Sequence, residues 1–321
     1  MREITRRALL AGSTVAAAAL TTGSATAAAP AAGTQAPGFY RHRIGSYELT
    51  ALYDGVWDSP VDAKYIRNAD FADVQRALAE AYLPNNKLPF SYTALLVNTG
   101  PKLVLLDAGT GGQIGPRTGS MIANLAAAGV SPDAIDIIAI SHFHADHIDG
   151  LKTKDNALVF RNAEILVPEP EWRFWMDDAR LSTSPDGLRT TFLNARRIFA
   201  DIRARVRPYQ PGRELAPGVS SIAAYGHTPG HAAFVVASGR DSLLAIGDTA
   251  HHPALFLRYP QWQAVIDMDG PMAAQVRKRM LDRAAADRML VQGYHFPFPA
   301  CGHIVRTATG YELVPVMWQP L

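Results

Sequence analysis

Residues 141–150 read Ser-His-Phe-His-Ala-Asp-His-Ile-Asp-Gly, and this decamer constrains the chain more than any other stretch. Three of the ten histidines fall within six residues here, with an aspartate between them. Imidazole and carboxylate are the ligand types of borderline divalent cations. The preceding run, residues 135–140, is mostly apolar and follows Pro132 and Asp133, which predicts a short buried strand. The cluster thus begins where a strand ends, the usual place for a site in α/β proteins. Alternation along an extended backbone sends His142 and His144 to one side. Asp146 and His147 follow at the turn into a helix and face a second point, so the spacing suits two adjacent metals.

Further along stand His227 in Tyr-Gly-His-Thr-Pro-Gly-His, Asp248 in Ala-Ile-Gly-Asp-Thr and His295 in Gly-Tyr-His-Phe-Pro-Phe-Pro. Together with the decamer they resemble the HxHxDH signature and later ligands of the metallo-β-lactamase superfamily. The intervals of 80, 21 and 47 residues from His147 to His227, Asp248 and His295 are similar to those of its lactonases and methyl-parathion-hydrolase group. The resemblance spans nearly the whole chain after its first 29 residues. It implies one metal on His142, His144 and His227, a second on Asp146, His147 and His295, and Asp248 bridging both. It also implies two divalent ions, zinc by preference, a catalytic role for Asp146, and a homodimer.

Composition bounds the rest. With 321 residues, 48% hydrophobic and 19% charged, the chain can bury a sizeable core as one large domain. Residues 1–29 carry Arg6-Arg7, a mildly apolar stretch rich in alanine and glycine, and then small residues before Pro30, which reads as a twin-arginine-type export signal. A periplasmic or secreted protein follows, and thirteen apolar residues are too few for a membrane anchor. The remainder, residues 30–321, holds 28 basic and 28 acidic residues, so nucleic acid is not an expected partner. Cys301 is the only cysteine, which rules out an intrachain disulfide.

Taken in order, residues 40–54 alternate as two strands about Gly45-Ser46, and Asp54-Gly55 is expected to turn. Residues 71–82 have helical spacing, residues 92–97 and 103–106 form a buried hairpin, and residues 120–128 a helix. Asp107 closes an apolar strand, either as a turn residue or, as the resemblance implies, orienting a ligand histidine. Residues 157–167 return as a strand. Residues 168–193 carry Trp172, Phe174, Trp175 and Phe192 around a polar middle, and we read them as a lid or pocket wall, with Trp172, Trp175 and Phe192 against substrate. A helix over residues 191–205 would bury Leu193, Ile198 and Ile202 and turn Arg196, Arg197, Arg203 and Arg205 to solvent. Strands over residues 219–225, 232–237 and 243–246, a helix over 272–288, a strand over 289–292 and a closing hairpin complete an α/β layout. The expected architecture is an αββα sandwich, two facing mixed sheets between outer helices.

Two divalent ions held by these residues can lower the pKa of a shared water toward ~7 and bring a bridging hydroxide to a carbonyl or phosphoryl group. The expected activity is hydrolysis of a small-molecule lactone or aryl ester. Organophosphate triesters are the alternative, and β-lactamase activity or catalytically silent metal binding come below both. His251, three residues after Asp248, either points into the pocket, where a polar group suits carbonyl chemistry, or faces solvent with His252. His231 opens a strand and has a structural role or orients a ligand.

Overall fold

Short apolar runs whose side chains alternate in direction build two seven-stranded sheets in the computed structural model, which describes residues 32–321. The first sheet runs in sequence order: β1 (Phe39–Ile44), β2 (Tyr47–Pro60), β3 (Lys87–Asn98), β4 (Leu103–Leu106), β5 (Ile137–Ala139), β6 (Glu164–Pro168) and β7 (Val206–Tyr209). Its first four strands are antiparallel and β4 to β7 parallel. The second sheet holds β8 (Glu214–Ala216), β9 (Val219–Ala223), β10 (Ala232–Ser238), β11 (Asp241–Gly247), β12 (Leu290–Gly293), β13 (Cys301–Arg306) and β14 (Tyr311–Pro315). Only β11 and β12 pair in parallel there.

Alternation sorts the core into two layers. Val104, Leu106, Ile137 and Ala139 of one sheet meet Phe234, Val236, Leu243 and Ala245 of the other in the space between them. Their neighbours Leu105, Ile138, Ile165, Leu244, Ile246 and Val291 face outward into the layers that helices cover. Strands buried on both faces have no polar side, which is why residues 103–106 read as a continuous apolar run. The helices are α1 (Phe71–Glu80), α2 (Met121–Ala127), α3 (Ala145–Ile148), α4 (Glu169–Trp175), α5 (Asp178–Thr183), α6 (Asp186–Phe199) and α7 (Gly270–Ala286). This is the expected αββα sandwich. Residues Pro37–Leu321 form one compact unit, and the expected export segment lies outside the described residues. Among the described residues no helix is long and apolar enough to cross a membrane.

Several local expectations change. Asp54 and Gly55 do not turn the chain; they sit inside the fourteen-residue β2 at a register shift. Gly55 has φ +144 and an added Cβ would lie 2.2 Å from the Arg117 carbonyl oxygen, while the Asp54 carboxylate accepts from Thr110 N and Oγ1 and from Met121 N. Of residues 157–167 only the end is strand. The helix expected from residue 191 starts at Asp186, immediately after Pro185, and stops at Phe199. Its buried face is Phe192, Ala195, Ile198 and Phe199, which leaves Leu193 half exposed. Arg197 is not a solvated charge either, since its guanidinium reaches Gln113, Asn194 and Asn156.

Candidate metal centre

Every strand that delivers a site residue does so at its C-terminal end. Asp107 follows β4, the decamer follows β5, His227 follows β9, Asp248 follows β11 and His295 follows β12. The sandwich thus gathers residues from both sheets at one edge. His142 Nε2 and His227 Nε2 approach His144 Nδ1 at 3.0 and 2.9 Å, and lie 3.7 and 3.2 Å from Asp248 Oδ2. His147 Nε2 lies 3.3 Å from Asp146 Oδ2 and 3.1 Å from Asp248 Oδ1, and His295 Nε2 lies 3.4 Å from Asp146 Oδ2 and 3.1 Å from Asp248 Oδ2. Two groups of four donors result, sharing Asp248.

The donors fit two divalent cations. Ligands about 2.0–2.1 Å from a tetrahedral ion stand about 3.3 Å from one another, the middle of the range seen here. One imidazole nitrogen cannot satisfy two other imidazole nitrogens by hydrogen bonding, yet His144 Nδ1 faces two of them. His147 Nε2 and Asp248 Oδ1 are buried and have no hydrogen-bond partner. Converging, unpaired donors of this kind are costly unless a cation joins them.

The opposite ring nitrogens are held in place. His147 Nδ1 meets Asp107 Oδ2 at 2.8 Å, His227 Nδ1 meets Asp267 Oδ1 at 2.9 Å, and His295 Nδ1 donates to the Ser91 carbonyl at 2.9 Å. Asp107 adopts φ +63, an uncommon conformation for a residue with a Cβ. Hydrogen bonds from Ser141 N and Oγ at 2.7 and 2.8 Å fix it there. His231 donates through Nδ1 to the Ala224 carbonyl and accepts from the Asp248 backbone N–H at 3.2 Å, so it holds the strand end that carries Asp248.

Charge follows this geometry. Burial works against the positive form of His227, but the Asp248 and Asp267 carboxylates outweigh it and lift the imidazole to about 9. Burial likewise opposes charge on His147, which Asp146, Asp248 and Asp107 overcome, holding it well above the usual histidine range. His144, where burial dominates and His227 adds to it, falls to about 3. Burial raises Asp146, yet His147 and His295 bring it down to about 2. Without cations the pocket is therefore two ionised carboxylates held by protons on His147 and His227, charges that incoming ions replace.

Sequence reasoning missed two carboxylates behind the site. Glu171 of α4 is fully buried and accepts from Phe143 N, Trp175 Nε1, Thr228 Oγ1 and Gly230 N at 3.0, 2.6, 2.9 and 2.8 Å. It ties the decamer loop to the loop after His227. Gly230 lets that loop come in, since a Cβ there would lie 2.1 Å from Glu171 N. Asp267 is backed by buried Arg277, whose guanidinium also donates to the carbonyls of Thr249, Pro260 and Trp262. Nothing local in Val-Ile-Asp-Met-Asp-Gly separates Asp267 from Asp269, which caps α7.

The expected pocket wall holds at Gly187, Leu188, Thr190 and Thr191, which line the cavity, but not at its aromatic residues. Trp175 and Phe192 are completely buried in the helix layer, packed against each other, and Trp172 lies edge-on to Phe143 and Phe199 behind the decamer. A tryptophan bonded to a buried glutamate is core, not lid. His251 and His252 are buried as well, and neither faces the cavity or solvent. His251 packs against His227 and Phe256, its Nε2 3.6 Å from Asp248 Oδ2, beyond hydrogen-bond range. The cavity over the metal centre, about 830 Å³, has His144, Asp146, Asp248 and His295 in its floor and Trp57, Phe90, Tyr92, Ile114, Leu188 and Met268 among its walls.

Comparison with known proteins agrees with this geometry. Residues 88–293 match the family model of the metallo-beta-lactamase superfamily, and the chain belongs to that superfamily. It is a metal-dependent hydrolase by fold and donor set. Among solved structures it is similar to AidC, a dizinc quorum-quenching lactonase in complex with a product, N-hexanoyl-L-homoserine, at 28% identity and TM-score 0.82 over 88% of this chain and 99% of that one. It is also similar to the hydrolase AbOPH of the beta lactamase superfamily, at 27% identity and TM-score 0.83 over 89% and 100%. A probable metal-dependent hydrolase from Staphylococcus aureus, at 19% identity and TM-score 0.71 over 86% and 100%, shares the fold.

Proposed function

We propose that the protein hydrolyses lactones, with aryl esters as further substrates and organophosphate triesters as a secondary activity, using two zinc ions held by His142, His144 and His227 and by Asp146, His147 and His295, with Asp248 between them. The observation that carries this reading is the position of Asp146 and Asp248 in the floor of a cavity whose other walls are largely apolar and aromatic. When bound, such ions lower the pKa of a shared water toward neutrality and polarise the substrate carbonyl. The residues supply the rest. Asp146, the most exposed of the ligand carboxylates at 15%, is placed to take a proton from the attacking water and pass it to the leaving oxygen. Phe90, Trp57 and Leu188 take the hydrophobic part of the substrate and exclude bulk water. Carbonyl chemistry does not depend on His251, which lies outside the cavity. It is supported by the likeness to AidC and by hydroxyl groups on the wall. Export by a twin-arginine-type signal over residues 1–29 is part of the same proposal, tested by following the mature product after Arg6→Lys with Arg7→Lys.

The test is kcat/KM for an aliphatic lactone, an aryl ester, a phosphotriester and a β-lactam on one metal-loaded preparation. The lactone is expected to lead. A phosphotriester or β-lactam ahead by tenfold, about 1.4 kcal/mol of transition-state preference, overturns the ranking.

A further inference from the structure

Most polar donors on the cavity wall are already committed. Arg67 donates to the carbonyls of Val265 and Asp267, Gln113 to those of Asp149 and Lys152, and Asn194 to the Asp149 carboxylate. Two buried phenols of the wall are not so committed. The Tyr65 hydroxyl is sealed from solvent with no hydrogen-bond partner of good geometry, the Ser59 side chain being a polar neighbour. The Tyr92 ring, 4% exposed, packs edge-on to His295 with ring centroids 5.5 Å apart, and it lines the same cavity as Asp146 and Asp248, whose charges add to burial in raising its phenol. Among the described residues no side chain or backbone group accepts its proton. A sealed Tyr65 hydroxyl beside a Tyr92 phenol on the cavity wall, neither with an acceptor among the described residues, leaves the acceptor to come with the ligand.

We propose that Tyr92, with Tyr65 behind it, is the protein's own hydrogen-bond donor to the ester oxygen released when the lactone ring opens. The inference rests on the lactonase reading above and adds a residue to it. In the step, the oxygen of water bonds to the carbonyl carbon, the ring C–O bond breaks with its electron pair on the ring oxygen, and the proton taken by Asp146 goes to that oxygen. Tyr92 keeps its own proton throughout, because burial and the neighbouring Asp146 and Asp248 carboxylates hold its phenol well above the ordinary tyrosine range. Its bond strengthens as the oxygen gains charge, which is how a preorganised donor lowers a barrier. An alkoxide needs that help more than a nitrophenoxide, which carries its charge into the ring.

Tyr92→Phe keeps the ring and removes only the donor. On enzyme loaded with two metals it is expected to lower kcat/KM for an aliphatic lactone by about 10- to 100-fold, the range of a hydrogen bond to a charged group. The same variant is expected to lower hydrolysis of a p-nitrophenyl ester by less than about threefold. A second readout needs no turnover. Wild-type protein should bind N-hexanoyl-homoserine, which carries the released oxygen as a hydroxyl, about tenfold more tightly than N-hexanoyl-2-aminobutyrate, and Tyr92→Phe should erase the difference. Equal losses on both substrates, loss of metal, or no preference between the two acids in the wild type each overturn the assignment. A wild-type enzyme that opens no lactone fails the lactonase reading itself, whereas one that opens lactones and ignores Tyr92→Phe fails only this inference.

Discussion

The two halves of the metal centre share Asp248 but are built differently. The half on His142, His144 and His227 has three imidazoles, and its outer support is the buried Asp267–Arg277 pair. The half on Asp146, His147 and His295 has a carboxylate of its own, leans on Asp107 and a backbone carbonyl, and contributes Asp146 and His295 to the cavity floor, where the first half contributes His144 alone. The first half is therefore the structural anchor, sunk where removal of a support leaves a charge unpaired, and the second is the working face. Fixed supports and exchangeable chemistry are separated by one shared carboxylate.

The largest test of that division is Asp248→Ala, which removes the common ligand; metal content should fall from two to fewer than one per chain and lactone turnover by at least about 10⁴-fold, measured by elemental analysis and kinetics. Retention of both ions would erase the distinction drawn here. Next, Asp267→Asn should cost about 3–5 kcal/mol of unfolding free energy in denaturant titration, because Arg277 loses the one carboxylate that, among the described residues, pairs with it in a buried site. Asp107→Asn, lacking a buried cation behind it, should instead weaken the second ion about 10- to 100-fold in a chelator competition and leave the first in place. Asp146→Ala should abolish hydrolysis while the first ion stays, and equal mild effects from Asp146→Ala and His142→Ala would contradict the anchor-and-face division.

The smallest expected effect is on pH. The folded-state pKa of His227 is raised from about 6.5 to about 9, so in the metal-free protein its contribution is fully present below pH 6.5 and is lost as pH rises through 9. Thermal melts of metal-free protein should fall across that window, and metal-loaded protein, in which the metal takes the place of the titrating proton on His227 Nε2, should not follow.

Much of this was legible in the chain. The metal donors announce themselves because their residue types are rare and their positions at strand ends are readable from apolar runs and turn residues. Asp107 and His231 were readable as supports because each adjoins a strand end. Glu171 and Asp267 were not, since a buried carboxylate is recognised by the donors that converge on it, and three of the four donors to Glu171 come from residues 28 to 59 positions away. The aromatic segment misled for a related reason. Trp172, Trp175 and Phe192 look the same in sequence whether they face a ligand or the core, and a helix that starts at Asp186 instead of residue 191 turns Phe192 inward and Leu193 outward. His251 failed because no helix begins at Asp248; the chain reaches a helical turn only at Pro253–Leu257.

Glu171 carries a consequence for how the protein acquires its ions. One carboxylate holds the loop after β5 and the loop after β9 in register by three hydrogen bonds, with a fourth from Trp175 of its own helix, all within the polypeptide and none dependent on a cation. The receptacle is thus assembled before it is filled. Metal uptake becomes a second-order docking event with proton release, not a folding transition, and the circular dichroism and the slow amide protons of the sheets should look the same before and after loading. Cut that tie with Glu171→Gln and the two loops must find each other around the ion, so arrival of metal and ordering of the loops would become one slow event.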